Sequence, residues 1–299
     1  MSRMIVVPTK LYSRMTKEKA SSLSTKATAT KAAVTKVSRV RPIKRSAQQK
    51  LVWITGGSSG IGAQLAKDYA DRGWLVAITA RNEAALKLVI SETKHKKAIF
   101  AFPCDVTKQK LMQQLFEAIE AKLGPVDKAI ANAGIYLPTE LPEFDAQIFV
   151  KSFDVNLNGT VNTLAPVIPA MLKRGGGQLA IMASVAGFGG LPSSAAYGAT
   201  KAALLNMGEA LAMEYRQHNI NISVIAPGFV RTPATAPNEF AMPFLVEVED
   251  ASARIINGLE RGKFLISFPR RFSILLRLLN LLPRWLYVSL FARGVPRRS

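Results

Sequence analysis

Seven short apolar runs, at residues 51–55, 75–79, 98–103, 128–131, 178–182, 220–225 and 263–268, divide the middle of the chain, and amphipathic stretches of helical period lie between them. A strand wet on one face alternates polar with apolar residues, so runs that are apolar throughout must be covered on both faces. Strands that alternate regularly with helices pair in parallel. The pattern therefore predicts an α/β, doubly wound domain, a seven-stranded parallel sheet with helices on both faces. The connections are too short to hold a second domain within 50–269.

The flanks are different. Of the formal charge of +20, residues 1–50 carry +12 and residues 261–299 carry +9, which leaves −1 for the middle. The basicity belongs to the ends, so the folded part is not itself a nucleic-acid surface. Residues 1–49 are rich in Ser, Thr, Ala and Lys with little apolar periodicity, which predicts a basic, disordered tail. Three readings of that tail stay open: an organellar presequence, a tether to anionic lipid or nucleic acid, and an extension with no role of its own. One cysteine, Cys104, excludes an internal disulfide framework and reads as a buried strand-end residue. His95 and His218 stand apart and lack ligand spacing, so no metal site is expected.

In doubly wound sheets, ligands bind beyond the carboxyl ends of the strands, near the point where the strand order reverses. The first apolar run is followed there by Gly56-Gly57-Ser58-Ser59-Gly60-Ile61-Gly62 and then a helical pattern. Such a turn lets backbone approach a pyrophosphate, and the helix that follows offers free N–H groups and a partial positive charge. The second run ends at Arg81. It reads either as a receptor for a ribose 2′-phosphate, which favours NADP(H) with NAD(H) as the alternative, or as a solvent-facing arginine. Asp105, followed by Val106, either accepts from an adenine amino group or caps the next helix. Asn132-Ala133-Gly134 could lie against the adenosine ribose or form a plain turn. Further on, Ser184 precedes Tyr197-Gly198-Ala199-Thr200-Lys201, and a Tyr and a Lys four residues apart share a helix face. The nearby ammonium is expected to lower the tyrosine's pKa and make Tyr197 a general acid and base.

Together these residues resemble the short-chain dehydrogenase/reductase family over about 51–235. Thr55-Gly56-x-x-x-Gly60-Ile61-Gly62 is similar to its coenzyme turn and Asn132-Ala133-Gly134 to its strand-four motif, although Ala131 stands where the family commonly has Asn. Asn156 resembles the catalytic asparagine, Ser184 the serine, and Tyr197 with Lys201 the Tyr-x-x-x-Lys pair. Pro227-Gly228, with Val230 and Thr232, resembles the segment that contacts the nicotinamide. The resemblance implies a Rossmann-like fold and interconversion of ketone and secondary alcohol. In it Tyr197 exchanges the proton, Ser184 orients the carbonyl, Lys201 holds the ribose hydroxyls and lowers the Tyr197 pKa, and Asn156 holds a water that links Lys201 to solvent. It also implies a homo-oligomer paired through long helices.

The family places substrate choice in the loop at 229–246, where Phe240, Met242, Phe244 and Leu245 suit an apolar, lipid-like substrate. Residues 270–299 form an apolar-basic segment, with Arg277, Pro283 and Arg284 interrupting what is too broken to span a bilayer. It reads as two short helices broken at Pro283. Either it anchors at a membrane interface, with Trp285 and Tyr287 at headgroup depth, or it is a flap over the enzyme's own pocket or a partner. The first reading makes the protein intracellular and membrane-associated. A rival from another class is a catalytically silent nucleotide-binding sensor or scaffold tethered by its basic tails.

Overall fold

The first strand, β1 (Leu51–Thr55), is buried along its whole length, and so is β2 (Leu75–Thr79). Their side chains alternate between two cores. Val52 and Ile54 join the cluster formed with α1 (Gly60–Asp71), α2 (Glu83–Glu92) and α7 (Val248–Glu260). Trp53 points the other way, its ring 5.8 Å from Phe116 of α3 (Gln109–Leu123), and its indole N–H donates to the Thr79 hydroxyl at 2.9 Å. Cover on both faces is why the run carries no polar alternation.

A computed structural model describes residues 43, 45, 46, 48–139, 144–236 and 242–292. Residues 1–42 of the expected tail, and Phe240 in the expected substrate loop, lie outside the described residues. Ile43 and Arg45, which the sequence pattern puts in the tail, are bonded to the domain. Ile43 N–H donates to the Lys122 carbonyl at 2.9 Å, and the Arg45 guanidinium meets the Asp127 carboxylate at 2.7 Å.

The remaining strands are β3 (Ile99–Ala101), β4 (Lys128–Ala131), β5 (Gly177–Met182), β6 (Ile220–Pro227) and β7 (Leu265–Phe268). All seven pair in parallel in the order β3-β2-β1-β4-β5-β6-β7. The chain winds outward from β1 to β3 and then restarts at β4 on the other side of β1, so the switch point lies between β1 and β4. The second face is covered by α3, α5 (Gly159–Arg174) and α6 (Ala195–Tyr215). Between β4 and α5, α4 (Ala146–Ser152) runs into a wide π-turn, Phe153–Asn158. The fold is the doubly wound α/β architecture that the apolar runs predict.

At the amino ends of the strands, Lys128 is buried. Its ammonium donates to the Tyr69 hydroxyl at 2.9 Å and lies 4.8 Å from the ring centres of both Tyr69 and Trp74. Burial pulls its pKa down to about 8 and pushes that of Tyr69 up.

After β7 the chain forms α8 (Arg270–Asn280) and α9 (Arg284–Ala292), broken at Pro283 where a missing N–H and a fixed φ suit a new helix start. One side of this pair is docked. Phe272 stacks near Phe229 and Phe244, with ring centres 6.0 and 5.9 Å away, and the Arg277 guanidinium lies 4.8 Å from the Phe188 ring centre. Tyr287 corrects the expectation that it reaches headgroup depth. It is only 5% exposed, and its hydroxyl donates to the Gly190 carbonyl at 2.9 Å. Among the described residues no helix is long and apolar enough to cross a membrane.

Candidate active site

A cavity of about 610 Å³ opens along the carboxyl ends of the strands. Its floor begins with the turn after β1. Gly56 has φ +68°, a region L side chains rarely adopt, and Gly62 lies so close behind it that an added Cβ would sit 2.2 Å from the Gly56 carbonyl oxygen. Ser59 is the N-cap of α1, yet its side chain caps no N–H, so the first donors of the helix are left for a ligand. Asn132 holds the turn in place. Its amide donates to the Thr55 carbonyl at 2.9 Å and the Gly56 carbonyl at 3.2 Å, while the Asn132 and Ala133 N–H groups share the Thr55 hydroxyl. A backbone cradle that any side chain would fill, facing an uncapped helix start, fits a pyrophosphate.

Around that turn the cavity is lined by Gly56, Ser58, Ser59, Gly60, Ile61 and Gly62, then Arg81, Asp105 and Val106. Asn132, Ala133 and Gly134 follow, and then Ser184, Tyr197, Lys201, Pro227, Gly228, Val230 and Thr232. Every one of these is a residue expected from the sequence. Arg81 is exposed at the end of β2. Ser184 follows β5, three strand spacings or roughly 14 Å away. A ligand touching both is therefore elongated. Asp105 accepts from the Thr107 N–H at 3.0 Å and its hydroxyl at 2.9 Å, so its carboxylate caps the turn that leads into α3.

Asn156 is placed differently. It is fully buried in the π-turn and is not part of the cavity wall. Its amide accepts from the Ile135 N–H at 2.7 Å and donates to the Ile135 carbonyl at 3.0 Å and the Thr200 hydroxyl at 3.1 Å. It ties the segment after β4 to α6, behind Gly134.

Tyr197 and Lys201 project from the first turns of α6 on one face, with the Lys201 ammonium 5.4 Å from the Tyr197 ring centre. Ser184 accepts the Ala186 N–H at the start of a short 3-10 turn and donates to the Pro227 carbonyl at 3.3 Å. The expected fall in the Tyr197 pKa is not what the structure gives. Burial raises it, the Ser184 hydroxyl opposes that rise, and Tyr136, edge-on at 5.3 Å, adds to it. The Lys201 ammonium, which donates to the Met182 carbonyl at 2.7 Å, is itself pulled down to about 8 by burial. Desolvation disfavours charge on both groups.

The two buried lysines make stability depend on pH. Folded, Lys128 and Lys201 release their protons near pH 8, while the unfolded chain holds them to about 10.5. Between those values the unfolded state binds more protons, so stability rises with pH. Cys104, raised by burial to about 12 from 9.0, opposes this weakly between pH 8 and 9 and more strongly above. From pH 8 to 9 the cofactor-free protein should gain about 1–2 kcal/mol in urea unfolding, and Lys128→Met should remove about half of the gain. A flat profile would show that these ammonium groups are solvated.

The cavity also holds residues that sequence reasoning did not single out. Tyr136 lies two residues after the Asn-Ala-Gly motif and could have been found by extending it. Phe272 belongs to a helix some 75 residues from Tyr197, and no local pattern links the two.

The sequence pattern described as short chain dehydrogenase matches residues 50–241. An uncharacterized oxidoreductase of Myxococcus xanthus (strain DK1622) is 34% identical over 235 residues, which cover 78% of this chain and 93% of that protein. A mouse (Mus musculus) protein named 3-oxoacyl-[acyl-carrier-protein] reductase is 33% identical over 186 residues, covering 62% of this chain and 78% of its own. Among solved structures, that of ElxO with NADP bound superposes with a TM-score of 0.66 at 27% identity, over 74% of this chain and 98% of that one. With the family pattern spanning most of the chain and the sheet, turn and Ser-Tyr-Lys geometry in agreement, this protein belongs to the short-chain dehydrogenase/reductase family of NAD(P)-dependent oxidoreductases.

Proposed function

We propose that this enzyme uses NADPH to reduce a ketone on an apolar, lipid-like molecule to the secondary alcohol. The observation that carries the reading is the convergence of Ser184, Tyr197 and Lys201 on the cavity whose other end is floored by the glycine turn and flanked by Arg81. Bound NADPH supplies the hydride that the carbonyl carbon receives. Ser184 orients the carbonyl through its hydroxyl. Tyr197 gives the proton to the carbonyl oxygen, and its raised pKa keeps the phenol protonated at neutral pH, as a donor must be. Lys201, one of whose N–H groups is spent on Met182, keeps two for the ribose hydroxyls. Asn156 acts at one remove, by fixing the backbone of Ile135 and the Thr200 side chain on either side of Gly134 and Lys201.

The preference for NADPH rests on Arg81, whose fork can meet a 2′-phosphate, and is in keeping with the NADP bound to ElxO. The apolar substrate rests on the cavity lining at Val185, Leu191, Pro192, Phe229 and Phe272, whereas Met242, Phe244 and Leu245 of the expected substrate loop are not part of that lining. The mouse relative's name, a reductase of 3-oxoacyl groups, is consistent with a ketone on an aliphatic chain. The silent sensor or scaffold draws no support from this site, whose lining brings Ser184, Tyr197 and Lys201 together.

The test is a comparison of NADPH with NADH against medium-chain ketones, with Arg81→Glu beside the parent. The parent should favour NADPH by tenfold or more in kcat/KM, and the variant should lose about tenfold to a hundredfold with NADPH while keeping NADH activity, as expected for one charge-assisted pair turned repulsive. Equal use of both cofactors by the parent would overturn the assignment of Arg81.

A further inference from the structure

The side of the α8–α9 pair that faces away from the body is apolar. Ile274, Leu278 and Leu281 recur at spacings of four and three, which places them on one face of α8 and its end. Leu281 is 80% exposed, and Trp285 at 71% together with Val288 continues the patch on α9. The opposite side is pinned by Phe272, Leu276 and Tyr287, so the patch is held outward by contacts on its reverse. A contiguous apolar surface of this kind on a folded protein marks a contact.

What it contacts follows from charge. Arg270, Arg271, Arg277 and Arg284 are exposed on the same two helices, Arg277 over the Phe188 ring and Arg284 bonded to Asn280, and residues 261–299 contain no acidic residue. A second copy meeting the same face would bring like charge against like. An anionic headgroup layer over hydrocarbon matches both parts, with arginines at the phosphates and Leu278, Leu281 and Trp285 below them. We propose that α8–α9 is an interfacial element that seats this enzyme on an anionic bilayer. The same helix supplies Phe272 to the cavity, so a bilayer held there lies beside the wall through which an apolar ketone would enter. The seating itself stands whether or not the reduction proposed above does.

The test uses full-length protein with vesicles of phosphatidylcholine alone or mixed with phosphatidylserine. Binding should be at least about tenfold stronger with phosphatidylserine. Leu278→Glu with Leu281→Glu should weaken it about a hundredfold. Both side chains lie outside the cavity, so NADPH affinity and the urea midpoint should be those of the parent. Brominated acyl chains should quench the fluorescence difference between the parent and Trp285→Phe, a readout that binding through the basic residues 1–50 would not produce. Failure to bind any vesicle, unchanged binding by the double variant, or no quenching would each overturn the proposal. So would a dimer in the absence of lipid that the double variant dissociates, since the occupant would then be a second copy.

Discussion

Tyr197→Phe should bind NADPH as the parent does and lose reduction by a factor of about 10² to 10⁴, the range a positioned general acid contributes. The substitution removes one oxygen from a half-buried ring on the cavity wall and little else. Its edge-on contact with Tyr136 and its position beside the Lys201 ammonium are properties of the ring and survive. The lost rate corresponds to roughly 3–5 kcal/mol of the barrier. The measurement is single-turnover NADPH oxidation with a medium-chain ketone, next to a fluorescence titration of NADPH. A residual rate within tenfold of the parent would show that another group delivers the proton. A large loss of NADPH affinity would show instead that the phenol holds the cofactor or the fold.

The second large effect is expected at the phosphate turn. In Gly62→Ala the new Cβ would lie 2.2 Å from the Gly56 carbonyl oxygen and 2.6 Å from the Asn132 side-chain nitrogen. Neither neighbour can yield cheaply, because Asn132 already donates to both the Thr55 and Gly56 carbonyls. The turn must open, and with it the geometry that aims the first N–H groups of α1. NADPH affinity should fall by about a hundredfold or more, and overpacking should cost about 1–3 kcal/mol of stability. Gly73→Ala is the control. Its φ of +81° makes alanine strained by about 1–2 kcal/mol, but nothing lies within 4 Å and the cofactor is remote, so affinity should not move. Equal losses in the two variants would mean that the effect is general destabilisation and that the turn has no special part in binding.

Much of this site could be read directly from the chain, for a reason that concerns distance. The glycine turn, Arg81, Asn132 and the Tyr-x-x-x-Lys pair each sit at the carboxyl end of an apolar run or in the first turns of a helix. Once the runs are strands of one parallel sheet, those ends must gather along one edge. Asn156 was legible only as a residue type. Its hydrogen bonds to Ile135 and Thr200 depend on a π-turn that no periodicity announces. The direction of the Tyr197 pKa shift differs from the sequence expectation because proximity of a charge can be read from spacing, whereas burial cannot.

The C-terminal segment shows the same division in one pair of helices. Its helical spacing, its break at Pro283 and its lack of acids are local properties, and the amino-acid sequence determined them unaided, together with the strand pattern and the turn residues. Tertiary structure alone decided that Tyr287 turns inward to Gly190, that Phe272 walls the cavity, and that Leu281 and Trp285 are left facing out. Amphipathic period says that a helix has two faces. Which one is buried depends on the shape and polarity of the surface it meets, and much of that surface is assembled from the loop after β6 and the turn before Tyr197, segments that lie far apart along the chain.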